Sequence, residues 1–176
     1  MGKTEKNMGR FKVDDYVTYR KNGVCKITSI ELMSFGGQEK KEYYVLNSVY
    51  DSNTRLFVPL QSELENEMRY VLTAEEINKA IKDSLEIEDK WEDNVGERNA
   101  LFNEIMNSGD KAKMLWLIRN VTAYKAEADK KRRRMKANDV KCLNMAVSTV
   151  EAEFAYPLGL KRAQVMGYVK KMWEDK

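Results

Sequence analysis

The hydrophobic period of this chain changes near residue 72, and that change limits what it can fold into. Before it, apolar residues come in short alternating runs at Val17–Tyr19, Val24–Ile30, Glu42–Leu46 and Arg55–Pro59. Alternation with period two, rich in β-branched and aromatic residues, is the pattern of half-buried strands. Turn formers separate the runs: Asn22-Gly23, Gly36-Gly37 and Asp51-Ser52-Asn53. Pro59 cannot donate to a ladder, so it should close a strand or lie on an edge. The spacing predicts a small, strongly bent sheet or barrel over residues 10–70. Glu63, Glu65 and Glu67 alternate along a strand or loop, which should put all three on one solvated face. The polar, unpatterned residues Met1 to Asn7 are expected to be a disordered lead outside the fold.

After residue 72 the period is about 3.6, and residues 73–176 should form a bundle of four to five helices, making the chain α+β. Thr73 and Glu76 form a capping-box signature for a helix from Ala74 to about Asp83, with Ile77, Ala80 and Ile81 inside. A second helix should carry Trp91, Val95, Phe102, Ile105 and Met106 on one stripe and stop at Ser108-Gly109. Asp110 caps the third, whose Met114 to Ile118 and Val121 make an apolar surface too wide for an exposed helix, so it should be central. Trp116 belongs to that core. A fourth helix opens near Asn138-Asp139, buries Leu143, Val147, Val150 and Phe154, and breaks at Pro157 and Gly159. The last, Leu160 to about Trp173, groups Val165, Tyr168, Val169 and Met172.

Several functions are disfavoured. The chain contains no histidine, no Gly-rich phosphate loop and no serine nucleophile elbow, and no carboxylate pair stands out, so catalysis is not expected. Cys25 and Cys142 are distant in sequence and read as buried, reduced core residues, leaving no evident metal or cofactor site. No apolar run reaches the roughly 20 residues of a membrane span, and a cytoplasmic protein is expected.

Charge is uneven along the chain. Residues 1–70 hold 11 basic and 10 acidic side chains, residues 71–94 hold 3 and 8, and residues 95–176 hold 17 and 10. The densest feature is Lys130-Lys131-Arg132-Arg133-Arg134, followed by Lys136, with Arg98 and Lys125 extending the same surface. It reads either as a solubilising helix end, favoured by the helix dipole, or as a phosphate-contacting surface on DNA.

The β-half, "FKVDDYVTYRKNGVCKITSIE" followed by "KEYYVL" and "LFVP", resembles the N-terminal domain of the CarD/CdnL family, and "NSGD" at Asn107 to Asp110 resembles that family's interhelical turn. Asp14 stands where most members have glycine, and Arg20 and Asn22 replace the usual proline and histidine. The resemblance implies a Tudor-like domain that binds the β subunit of RNA polymerase, helices that meet promoter DNA mostly at its backbone and minor groove, and a monomer. By the same resemblance an edge strand docks on the polymerase, with Met33, Phe35, Arg55 and Phe57 as candidates; each reads equally as core. Members also insert a tryptophan at the edge of the melted promoter. Counting back from "SGD" puts Val95 at that register, with Trp91 four residues earlier. Trp91 reads equally as a DNA contact on the same helical face or as core. Competing readings are a protein-binding adaptor and an RNA-binding module.

Overall fold

In the computed structural model, residues 9–175 are described, and the lead expected at residues 1–7 lies outside them. They form two compact units that divide between Val71 and Leu72. Strands β1 (Tyr16–Tyr19), β2 (Val24–Met33), β3 (Lys41–Ser48), β4 (Arg55–Pro59) and β5 (Met68–Tyr70) come first. Helices α1 (Ala74–Glu86), α2 (Val95–Ser108), α3 (Lys111–Lys130), α4 (Ala137–Leu158) and α5 (Arg162–Glu174) follow. The α+β architecture read from the periodicity is therefore present.

The strands make one antiparallel sheet in the order β4-β3-β2-β1-β5. One face is the core: Val17 pairs with Cys25, Ile27 with Leu46, Tyr44 with Val58 and Tyr19 with Met68, and Phe11 packs with them. The register shifts between Ile27 and Ser29, leaving Thr28 as an extra residue whose hydroxyl donates to Val45 O at 3.2 Å. Such a bulge bends a strand and re-phases its alternation, and here it returns Ile30 to the core side opposite Tyr44. Asp14 has φ 75°, a left-handed conformation open to glycine without strain. Aspartate tolerates it, and the Asp14 carboxylate gains Lys26 Nζ at 2.7 Å.

Glu65 corrects the expectation of three solvated carboxylates. Residues 65–67 form a single 3-10 turn rather than a strand, and this turn carries Glu65 inward while Glu63 and Glu67 stay exposed. Buried Glu65 accepts from Arg10 N and the Tyr44 hydroxyl, each at 2.9 Å, and from Gln61 N. The Tyr44 hydroxyl in turn accepts from Phe11 N at 3.2 Å, and burial pushes its pKa up to about 12. A Cβ on Gly9 would lie 1.9 Å from that oxygen, so only glycine fits there.

Burial raises the Glu65 pKa, but the hydrogen bonds from Arg10 N, Gln61 N and Tyr44 outweigh it, and the carboxyl titrates below its ordinary range. A depressed folded pKa gives stability that is present above the unfolded pKa and lost as pH falls through the folded value. Glu65→Gln is expected to cost the sheet unit about 1.5–3 kcal/mol near neutrality and to flatten this acid dependence. Amide exchange of residues 11–70 against pH checks both.

In the helical unit α3 packs against α1, α2 and α4, which is why Met114, Leu115, Trp116, Leu117, Ile118 and Val121 are all buried. The capping box at Thr73 and Glu76, the Asp110 cap and the left-handed Gly109 occur as read from sequence. Helix α4 runs through Pro157 to Leu158, so the left-handed Gly159 ends it and the proline does not. Its buried stripe is centred on Asp139, Cys142, Ala146, Val150 and Phe154, with Leu143 and Val147 half-buried at the margin. Helix α5 ties to α1, Tyr168 donating to Asn78 Oδ1 at 2.7 Å and Trp173 Nε1 to Ser84 Oγ at 3.2 Å. Among the described residues no helix is long and apolar enough to cross a membrane. Cys25 and Cys142 are both buried, and desolvation pushes the Cys25 thiol up to about 11.

Candidate functional site

Strand β4 is an edge, and two flanking hydrogen bonds fix the phase of its ladder. Ser48 N donates to Thr54 O at 3.2 Å and Leu60 N to Glu42 O at 2.9 Å, so even-numbered residues face β3. The backbone N–H and C=O of Arg55 and Phe57 then point to the open side, and Pro59 has no N–H to extend the row. Both side chains lie on the face opposite the core, because Phe57 pairs with Val45 and Arg55 with Asn47 while Val58 and Leu56 turn inward. Phe35, 47% exposed, sits 5.1 Å from the Tyr43 ring and 5.7 Å from that of Phe57, itself 36% exposed. The Arg55 guanidinium stands 5.7 Å from the Phe57 centroid and 3.4 Å from Glu31. Met33, half-buried, pairs with Lys41 on the same face as Tyr43. A groove of about 550 Å³ lies alongside, between Lys41–Tyr43 and Pro59–Ser62. The edge thus combines two open backbone positions with an apolar outer face and one cation.

A second arrangement occupies one end of the helical unit, where α2 and α4 begin and α3 ends. Arg98 of α2 donates to both carboxylate oxygens of Asp139 of α4, at 3.0 and 2.9 Å, and to Glu92 O at 2.7 Å. Asn138 donates to Asn99 Oδ1 at 2.7 Å across the same helix pair. Residues 87–94 are fastened to α3: Trp116 Nε1 donates to Glu88 O, Arg119 to Ile87 O and Asn120 to Lys90 O, at 3.0, 3.1 and 3.0 Å. Trp91 stacks on Tyr124 of α3 at 3.7 Å with 4° between the planes, and the Arg98 guanidinium stands 4.8 Å from the Trp91 centroid. Asn94 caps α2, leaving Val95 as its first residue, 43% exposed.

The turn from α3 to α4 lies at this end and exposes Lys130, Lys131, Arg132, Arg133, Arg134 and Lys136. Lys130 pairs with Glu127 at 2.7 Å, which holds the Glu127 carboxyl below its usual range. Arg132 is left-handed, φ 52°, with Arg133 N bonded to Ala128 O at 2.8 Å and Arg132 N to Asp129 O at 3.0 Å. This is a Schellman termination with arginine where glycine is favoured.

Residues 11–72 match the family model of the CarD-like/TRCF RID domain. The N-terminal unit is similar to a CarD-like/TRCF RID domain. No curated protein matches the chain. The domain implies an interaction with RNA polymerase, and the match is consistent with a CarD-like chain.

Of the four RID residues expected to dock, the structure brings Phe35, Arg55 and Phe57 together on the outer face and sets Met33 at its margin, none of them in the core cluster. Tyr43 completes the aromatic group without a sequence signal of its own; its position opposite Pro59 emerges only from the β3–β4 register.

Outside the RID domain two expectations are corrected. Arg98 is not on an exposed basic surface: it is 4% exposed and paired with Asp139, 1% exposed, which raises its pKa and leaves no donor face for a phosphate. Trp91 is not one turn before Val95 on α2, because the Asn94 cap starts the helix after it. Its ring is half-buried against Tyr124 and Arg98. Lys125 is exposed, one residue beyond Tyr124.

Proposed function

We propose that this chain is a non-catalytic, CarD-like transcription regulator. Its RID domain binds the β subunit of RNA polymerase through edge β4, and the end of the helical unit holds promoter DNA at the upstream edge of the bubble. The observation that carries the reading is the RID match over residues 11–72.

Strand addition at β4 suits the geometry: backbone hydrogen bonds at Arg55 and Phe57 supply affinity, and Phe35, Phe57 and Arg55 supply choice of partner. Polymerase binding raises the local concentration of the helical unit near the promoter, so weak DNA affinity suffices. On DNA the cations of the α3–α4 turn meet phosphates, and Val95, exposed at the first position of α2, takes the wedge role in place of Trp91. The protein lengthens the life of the open complex only as far as it binds melted DNA better than closed DNA.

Two local costs support a functional reading of the basic turn. A helix dipole accounts for cations at the end of α3. It does not account for arginine in the left-handed position at 132, nor for Lys136 at the N-cap of α4, where it makes no capping bond.

The combined Arg55→Glu and Phe57→Ser variant is expected to weaken capture of core polymerase by about 2 kcal/mol or more, roughly thirtyfold. Its DNA affinity should be unchanged. Undiminished capture would move the contact off β4.

A further inference from the structure

Arg98 and Tyr124 both pack on Trp91. Trp91 and Tyr124 are parallel at 3.7 Å, and the Arg98 guanidinium lies 4.8 Å from the Trp91 centroid. Arg98 is anchored in the buried pair with Asp139. Tyr124 is 37% exposed although one of its faces is covered by Trp91. Lys125 follows it directly, and α3 continues to Lys130 and the exposed basic turn.

A large flat ring, fixed in orientation from behind and bordered by cations, has the makings of a nucleic-acid stacking platform. Bases inside a duplex have both faces covered by neighbours and cannot use it, whereas an unpaired base can. We propose that Tyr124 is the base-stacking residue of this surface, receiving one unpaired base at the junction of duplex and melted DNA while the cations hold the flanking phosphates. This rests on the DNA-binding reading above and adds to it a residue that separates melted from closed DNA. Trp91 and Arg98 act behind it as positioning residues, holding the ring at a fixed tilt.

The test compares a forked promoter fragment with the fully paired duplex of the same sequence, using the full chain and fluorescence anisotropy. Tyr124→Leu is expected to weaken binding to the fork about tenfold, the scale of one base–aromatic stack, and to the duplex less than twofold. Tyr124→Phe should retain the preference. Independently of any variant, 2-aminopurine at the unpaired position should be quenched when the wild-type chain binds. Equal losses on both fragments, or no quenching, would overturn the role of Tyr124 while leaving DNA binding standing. Failure of the wild-type chain to bind either fragment would overturn the DNA reading, and preference for single-stranded RNA of the same sequence would overturn the choice of DNA.

Discussion

Arg98→Ala is expected to destabilise the helical unit by about 3–5 kcal/mol, the range for removing one partner of a buried ion pair. The loss has three parts. Asp139, at 1% exposure, is left with an uncompensated charge. The Glu92 carbonyl loses its donor at 2.7 Å, and Trp91 loses the cation on one face. Trp91, Trp116 and Trp173 all lie in this unit, so urea unfolding followed by tryptophan fluorescence reads it selectively. Arg98→Lys should recover only part, because an ammonium cannot reproduce the two-pronged bond to the carboxylate. The double variant Arg98→Leu with Asp139→Leu should be more stable than Arg98→Ala, since no charge is then left buried alone. Were Arg98 instead a phosphate contact, Arg98→Ala would cost less than about 1 kcal/mol and chiefly reduce DNA affinity.

Neutralising Lys130 to Arg134 together is expected to have the largest effect on DNA binding. Each phosphate contact contributes about 0.9 to the slope of log affinity against log salt. Five lost contacts would reduce that slope by up to about 4.5, with affinity near 0.1 M salt falling by roughly two or more orders of magnitude. Lys130 is already paired with Glu127, so the measured change should fall short of the full five. Capture of polymerase should not change. Arg132→Gly separates the two readings of the turn. Relieving the left-handed arginine should stabilise the helical unit by about 1 kcal/mol while lowering the salt slope by about one contact. A solubilising turn predicts the stability gain with no change in DNA affinity.

Local signals were legible in the sequence and long-range ones were not. Thr73, Asp110 and Gly109 act within four residues of themselves, so their capping roles could be read directly. Strand β5 leaves no signal in the sequence because Met68–Tyr70 is too short to show a period; its pairing with β1 makes it a strand. Glu65 looked like one of three alternating surface acids, and only the fold brings Arg10, 55 residues away in sequence, and Tyr44 to its carboxylate. By charge alone Arg98 belongs with the basic run, although its partner Asp139 lies 41 residues on, just past that run. The four-residue spacing of Trp91 and Val95 matches a helical turn, but Asn94 caps the helix first. On the RID face, alternation put Arg55 and Phe57 on one side of their strand; the β3–β4 register decides that this side faces away from the core.

If the chain is a regulator of this kind, it acts on the lifetime of the open complex. Purified polymerase from the protein's own organism would be stalled on a promoter fragment, challenged with competitor, and followed with and without the chain. A longer lifetime is expected with wild type, little extension with the neutralised turn or with Arg55→Glu and Phe57→Ser, and a retained effect with Trp91→Phe. An unchanged lifetime at saturating wild-type protein, with polymerase bound, would contradict the regulator reading.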